Sequence, residues 1–287
     1  MSSDVLLVYK KTHEAVHDES LKSINVILQN FINNGEIRLD IKAREKVSRD
    51  DFIGRDLVII HGGDGTLTSI SHNIDSATPV MGVNSHPRVD DPEGSLGFFM
   101  DSAVDTFAVD FETALRGKAI NNRLPRLQAT ITSTSGNRIV SDPALNDLLV
   151  ANTHQYAPSK YRLQRGDIDI KQHSSGLLFS TFIGQGAWFA NIVEKHGLEI
   201  SKDEIDSHYF VVARDLDKSQ RENGEAYVSW TNEPTIITSD MHRGYVVPDG
   251  WDEYHFNRGA SISVDLSGPE LQLLTFRKSM KDKFNGE

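Results

Sequence analysis

The fold turns on one stretch: Leu57-Val58-Ile59-Ile60-His61-Gly62-Gly63-Asp64-Gly65-Thr66. Four consecutive apolar residues suit a short strand buried on both faces, as in a parallel sheet. The strand runs straight into three glycines broken by a single carboxylate. Ile70 and Ile74 then share one face of the helix expected to follow. Glycines permit positive φ and close approach of a ligand to the backbone. Their amides, with a helix N-terminus beyond, make an anion site suited to phosphate. The stretch is neither a Walker A loop nor a dinucleotide fingerprint, because the Lys and the G-x-G-x-x-G spacing are missing. Asp64 stands among the glycines instead. Beside a phosphate cradle, a carboxylate takes or orients the proton of an attacking hydroxyl, or sits near a phosphate-bound magnesium ion. In an ordinary tight turn it bonds only its own backbone.

Upstream, Val5 to Tyr9 reads as a buried strand. Leu21, Ile24, Ile27, Leu28 and Phe31 recur at helical spacing and stop at Asn33-Asn34-Gly35, and Ile37, Leu39 and Ile41 alternate as a second strand. Downstream, Pro79 to Val83 reads as another strand and Ala103 to Arg116 as a helix closed by Gly117. Strands alternating with helices imply a parallel sheet covered on both faces. From Leu127 the pattern changes to many short alternating strands: Leu127 to Ile131, Ile139-Val140, Leu148 to Val150, Ile168 to Ile170, Tyr209 to Ala213, Tyr227 to Trp230, Thr235 to Thr238, Ile262 to Leu266 and Leu271 to Phe276. One helix, around Ala187 to Lys195, interrupts them. The expected fold is therefore an α/β N-terminal domain with a parallel sheet over residues 1–120. A mainly β domain, layered or a sandwich, follows over 121–266. A C-terminal segment, 267–287, returns to the first domain, and its charged end from Lys278 is expected to fray.

Composition removes several function classes. A net charge of −11 argues against nucleic acid as a partner, because binding it needs clustered Lys and Arg. With no cysteine there is no disulfide, thiolate catalysis or Cys-ligated zinc. No apolar run is long enough to span a membrane. The start carries neither a signal peptide nor an Arg-rich leader, so a cytoplasmic protein is expected.

Gly62-Gly63-Asp64-Gly65-Thr66 after a buried strand resembles a motif shared by NAD kinases, diacylglycerol and sphingosine kinases and, more distantly, phosphofructokinases. Later segments resemble the NAD kinase family in particular. Gly82-Val83-Asn84 is followed by Gly94-Ser95-Leu96-Gly97-Phe98-Phe99-Met100-Asp101, after a loop, Ser85 to Glu93, longer than is usual there. Ala144-Leu145-Asn146-Asp147 is similar to an Ala-Leu-Asn-Glu segment. The run from Gly176 to Trp188 is similar to Gly-Leu-x-x-x-Thr-Pro-Thr-Gly-Ser-Thr-Ala-Tyr, and Asp249-Gly250, Gly259 and Ser261 to Val264 resemble a late Asp-Gly turn and closing strand.

The resemblance implies an enzyme, an ATP-dependent kinase acting on the adenosine 2′-hydroxyl of NAD or NADH. Magnesium would be carried by ATP, no protein metal site is implied, and the chain would be a homo-oligomer, a dimer or a tetramer. It gives Asp64 the catalytic role. It gives dinucleotide or phosphate contact to Gly62, Gly63, Gly65, Thr66, Asn84, Phe98, Asn146, Asp147, Gly186, Ala187 and Trp188. The residue types agree, since a dinucleotide needs polar groups for two riboses and an aromatic surface for a base. Three departures mark a divergent branch: Asp147 in place of Glu, Ser175 in place of Asp, and Thr-Phe-Ile-Gly-Gln-Gly at Thr181 to Gly186. The alternatives are a lipid or other small-molecule kinase with the same glycine loop, and a dinucleotide-binding regulator without turnover. His13-Glu14-Ala15-Val16-His17 spells the H-E-x-x-H zinc motif, but in a polar stretch with no evident third ligand it reads as a solvated helix start.

Overall fold

The computed structural model describes residues 2–89, 91–186, 202–221 and 224–284. The chain divides into two compact units. The first comprises Met1–Leu124 with Glu270–Glu287, and the second Pro125–Pro269.

The first unit is α/β. Its strands are β1 (Ser3–Tyr9), β2 (Ile37–Ala43), β3 (Leu57–Gly62), β4 (Pro79–Asn84) and the two-residue β5 (Ser102–Ala103). The order β2-β1-β3-β4 is parallel throughout, β5 joins β4 in parallel, and residues 272–274 of a late strand add beyond β4. β3 is buried along its whole length, as a strand between two parallel neighbours must be. Helix α1 (Ala15–Asn33) buries Ile24 and Leu28 against β1 and β3, and it ends where Gly35 takes φ +73°. After the short helix α2 (Arg49–Phe52) comes α3 (Asp64–Ser71), which leaves Ile74 just outside it though buried. Helix α4 is Phe107–Leu115, shorter than the expected Ala103 to Arg116, because Ser102 and Ala103 are taken into the sheet as β5. The parallel register aligns Gly62 with Asn84, so the glycine turn and Asn84 leave adjacent strands at the same edge of the sheet.

The second unit is a sandwich of two antiparallel sheets. One has the order β10-β9-β14-β17, from β9 (Ser159–Arg165), β10 (Ile168–Ser174), β14 (Thr235–Ser239) and β17 (Ser261–Thr275); β6 (Ile120–Thr132) pairs with β17, and β7 (Arg138–Val140) with β6. The other runs β13-β12-β11-β8-β15-β16, from β8 (Asp147–Asn152), β11 (Leu177–Ser180), β12 (Tyr209–Ala213), β13 (Val228–Thr231), β15 (Arg243–Pro248) and β16 (Tyr254–Asn257). Alternate residues of both sheets fill one core, Leu127, Leu163, Ile237 and Ile262 from the first and Leu148, Phe179, Val211 and Val246 from the second. Residues of opposite parity, Leu178, Phe210 and Val212, form a second cluster with Trp230 on the other face. Among the described residues, no helix is long and apolar enough to cross a membrane.

Three expectations need correction. Ile262 to Leu266 and Leu271 to Phe276 are one strand rather than two: β17 runs through Gly268-Pro269, where a Gly268 Cβ would press on the Arg126 carbonyl. β15 and β16 have no counterpart in the sequence reading. The charged end does not fray through residue 283. A short helix, Met280–Phe284, begins there, Met280 is buried, and Lys283 Nζ donates to the Phe98 carbonyl (3.0 Å) and pairs with Asp101 (2.9 Å). Arg277 also pairs with the buried Asp110 at 2.9 Å. The expected helix at Ala187 to Lys195 lies outside the described residues.

Because Leu274 and Phe276 belong to the first unit's core, deleting 270–287 removes a sheet strand as well as these ion pairs. The truncated protein is expected to lose cooperative unfolding of the first unit, read as a lost or broadened transition in a urea melt.

Candidate functional site

In the first unit, the candidate site is built by a loop that returns from β4 to meet Asp64. Asp64 opens α3, where a negative charge suits the helix dipole. Its Oδ1 accepts the Phe99 N–H at 2.8 Å, and its Oδ2 accepts the Gly97 N–H at 3.1 Å and the Ser95 hydroxyl at 3.3 Å. A carboxylate has about four acceptor positions, so three donors fix the group while Oδ1 keeps one position for a hydroxyl. The half-buried Asp64 is thus oriented from outside its own turn, which separates it from an aspartate bonded only to its local backbone.

Asn84 holds that loop in shape. Its Nδ2 donates to the Ser95 carbonyl at 3.3 Å and its Oδ1 accepts the His86 N–H at 3.2 Å, while the side chain is buried. Both ends are spent inside the protein, so Asn84 positions the loop that positions Asp64. Phe98 is half-buried and meets Phe99 edge-on, with centroids 5.1 Å apart.

The glycines differ from expectation. None of Gly62, Gly63 and Gly65 has a positive φ. Gly62 and Gly63 are there for room: a Cβ at Gly62 would collide with the Thr66 side chain, and one at Gly63 with Ser95 Oγ at 2.9 Å. Thr66 is accordingly buried with its hydroxyl against Gly62, rather than turned outward toward a phosphate. Of the three, only Gly65 has open space where a Cβ would stand. His61 is buried and bonds Ser20 Oγ at 2.8 Å. Burial, with His17 nearby, lowers its pKa to about 4, so it is a neutral packing residue at pH 7.

In the second unit, a separate cluster interlocks three segments. The Asp249 carboxylate accepts N–H bonds from Leu145 (2.7 Å), Asn146 (2.8 Å) and Asp147 (3.1 Å), and the Asp249 N–H returns to the Asp147 carbonyl (2.8 Å). Asp249 itself adopts φ +47°, tolerable for Asp within a turn. Thr181 donates its hydroxyl to the Leu145 carbonyl at 2.7 Å and its N–H to the Asn146 carbonyl at 3.0 Å. Gly184 has no room for a Cβ, which would strike the Asn146 carbonyl. The result is a rigid cradle around Asn146-Asp147, in which Asn146 Oδ1 is buried with no hydrogen-bond partner among the described residues. An unpaired buried acceptor costs about 1–3 kcal/mol, which a hydroxyl donor would recover. Burial first, and Asp249 second, raise the Asp147 pKa to about 7. Burial raises that of Asp249 to about 6, against the pull of its three N–H donors and Arg126. Near neutral pH Asp147 is the more readily protonated of the two. Gly186 ends the short helix Ile183–Gly186, and Ala187 and Trp188 lie outside the described residues.

Sequence reasoning missed Ser95, Gly97 and Phe99 as the holders of Asp64, and Thr181, Gly184 and Asp249 as the holders of Asn146. Each lies in a motif quoted above, but the bonds are backbone bonds between distant segments. The sequence spacing gives no sign of them.

No protein-family model matches the chain. Sequence relatives include the NAD kinase of Clostridium kluyveri, 27% identical over 173 residues, or 59% of this chain and 54% of that protein. The chain therefore matches only about half the length of this relative. The probable NADH kinase of Oryza sativa subsp. japonica is 28% identical over 243 residues, 76% of this chain and 70% of that one. Among solved structures, an NAD kinase from Archaeoglobus fulgidus in complex with ATP superposes with a TM-score of 0.71 over 98% of this chain and 97% of that chain, at 16% identity. Yeast NADH kinase complexed with NADH superposes with 0.75 over 100% and 86%, at 14% identity. The chain has an α/β unit with a Gly-Gly-Asp-Gly turn and a β-sandwich unit. In sequence and in fold, it is similar to the NAD kinases.

Asp147 titrates near 7 when folded against 3.8 when unfolded, so its protonated form stabilises the fold, and that contribution is lost as pH rises from about 4 to about 7. Asp147→Asn is therefore expected to melt above wild type at pH 8 and close to it at pH 4, by differential scanning fluorimetry across pH. Gly62→Ala is expected to cost about 1–3 kcal/mol through overpacking. Gly65→Ala, exposed within a helix, is expected to gain up to about 1 kcal/mol, both read from urea midpoints.

Proposed function

We propose that this protein is a kinase that transfers the γ-phosphoryl group of ATP to the adenosine 2′-hydroxyl of NAD or NADH. The observation that carries the reading is the Asp64 carboxylate, held by the Gly97 and Phe99 amides and the Ser95 hydroxyl with one acceptor position left on Oδ1. In the proposed step the 2′-hydroxyl donates to Asp64, its oxygen forms the new bond to phosphorus, and the bond from the γ-phosphorus to the bridging oxygen breaks to release ADP. Asp64 takes the proton. Most of the rate would come from positioning and charge neutralisation. Magnesium arriving on the triphosphate would offset its charge. Asp64, with three N–H and O–H donors and one acceptor position left, fits the role of hydroxyl partner better than that of a dedicated magnesium ligand.

The other roles are proposals of the same kind. Gly65 is the point of close phosphate approach, with Gly62, Gly63 and Thr66 shaping the turn beneath it. Asn84 acts through the loop, and Phe98 offers an aromatic surface to the adenine. Asn146 Oδ1 and Asp147 take ribose hydroxyls, and Gly186, Ala187 and Trp188 line the same cluster. A protonated Asp147 is able to donate as well as accept, which suits a ribose diol. That the related proteins include enzymes named for NAD and for NADH supports both as acceptors. The protein is proposed to be cytoplasmic and to assemble as a dimer or tetramer.

Purified protein incubated with ATP, magnesium and NAD or NADH is expected to yield NADP or NADPH, measured with a coupled dehydrogenase. Asp64→Asn should lower kcat by at least ~100-fold; because its NH2 group cannot accept, the variant also loses at least one bond to the loop, and a melt is expected to show that it remains folded at the assay temperature. Dinucleotide binding without product would point to a regulator, and product from a lipid but not from the dinucleotides to a lipid kinase. Either result overturns the proposal.

A further inference from the structure

The H-E-x-x-H stretch does not form the site its spelling suggests. Helix α1 begins only at Ala15, and His13 precedes it exposed to solvent, so His13 and His17 share no helical face. Glu14 and His17 do converge, and their third partner comes from the loop after β4. One donor atom each of Glu14, His17 and His86 lies within 4.8 Å of the others.

The outer ring of bonds fits metal ligands. His17 Nε2 lies 2.9 Å from Glu14 Oε2, and its Nδ1 is bonded to Ser85 Oγ at 2.5 Å. His86 Nε2 is bonded to Asp91 Oδ2 at 3.1 Å, and the two imidazoles meet edge-on with centroids 5.7 Å apart. Neighbours of this kind orient ligating histidines and set which nitrogen is free. His17 is buried and His86 nearly so, while Glu14 is 61% exposed and leaves an entry path.

We propose that Glu14, His17 and His86 form a binding site for one borderline divalent cation, zinc foremost, with Asp91 or water completing the shell. Two imidazoles and one carboxylate make a zinc donor set, whereas magnesium and calcium prefer oxygen alone. Ligand atoms of a tetrahedral zinc lie about 3.4 Å apart at the usual bond lengths, between the 2.9 Å of the Glu14–His17 pair and the 4.8 Å that bounds the cluster. The site is separate from the phosphoryl chemistry proposed above and stands without it.

Its consequence for the fold is a clamp. His86 accepts the Ser95 N–H at 2.8 Å, and Ser95 Oγ donates to Asp64. An ion on His86 would tie the start of α1 to the loop that orients Asp64.

The test uses the full chain freed of metal by a chelator. Zinc is titrated against a chromophoric competitor, and cobalt by its visible ligand-field absorption. Wild type and His13→Gln are expected to bind one ion per chain and to melt higher with zinc. Glu14→Gln, with its exposed side chain, and His86→Gln are expected to bind at least ~100-fold more weakly and to show no zinc-dependent shift, beyond the roughly 10–100-fold typical of losing an outer neighbour. Melts of the metal-free variants show whether they fold. Less than one ion per wild-type chain, or wild-type affinity in either variant, overturns the assignment.

Discussion

Three hydrogen bonds to one carboxylate organise the candidate site of the first unit. The Gly97 and Phe99 amides and the Ser95 hydroxyl all end on Asp64. For that to happen, the loop leaving β4 has to double back onto the turn leaving β3. Two absences permit it: Gly63 has no Cβ to hold Ser95 off, and Gly62 has none to hold Thr66 off. Asn84 supplies the remaining constraint by bonding the loop at both ends of its amide. The glycine-rich turn is therefore rigid and crowded. Its glycines serve close packing, and its backbone torsions are ordinary.

The second unit solves a similar problem with the polarity reversed. There a buried carboxylate, Asp249, gathers three amides of the Leu145-to-Asp147 turn and presents Asn146 and Asp147. Two acids close together in a buried place cannot both carry charge cheaply, and the one richer in N–H donors keeps it. Asp147 is left the more readily protonated near neutrality. The departure from Glu to Asp at this position thus sits in a site whose electrostatics are set as much by Asp249 as by side-chain length.

Much of this architecture was legible in the sequence. The buried run Leu57 to Ile60, the helix ending at Gly35, and the switch from helical to alternating periodicity gave an α/β part followed by a β part. Elements failed where a local signal was absent or misleading. Arg243 to Pro248 and Tyr254 to Asn257 are short strands broken by Gly or ended by Pro and Asn, and their pairing with β8 and with each other decides them. Gly268-Pro269 reads as a break, yet β17 passes through it because close packing on Arg126 demands glycine there. The charged C-terminal segment is fixed by pairs with Asp101 and Asp110, partners more than 150 residues distant that no local pattern reveals. At the site, the chemistry-bearing side chains were visible, and the backbone donors that aim them were not.

β17 belongs to both units, with Ser261 in one and Thr275 in the other. Residues 270–287 follow the whole of the second unit in the chain, yet they complete the sheet of the first. On the ribosome, where the N-terminal part emerges first, the first unit must wait with an open edge beside β4 until the sandwich has been synthesised. An unpaired parallel edge of that kind is a template for wrong partners. The long strand thus makes the first part of the protein to be translated the last to be finished.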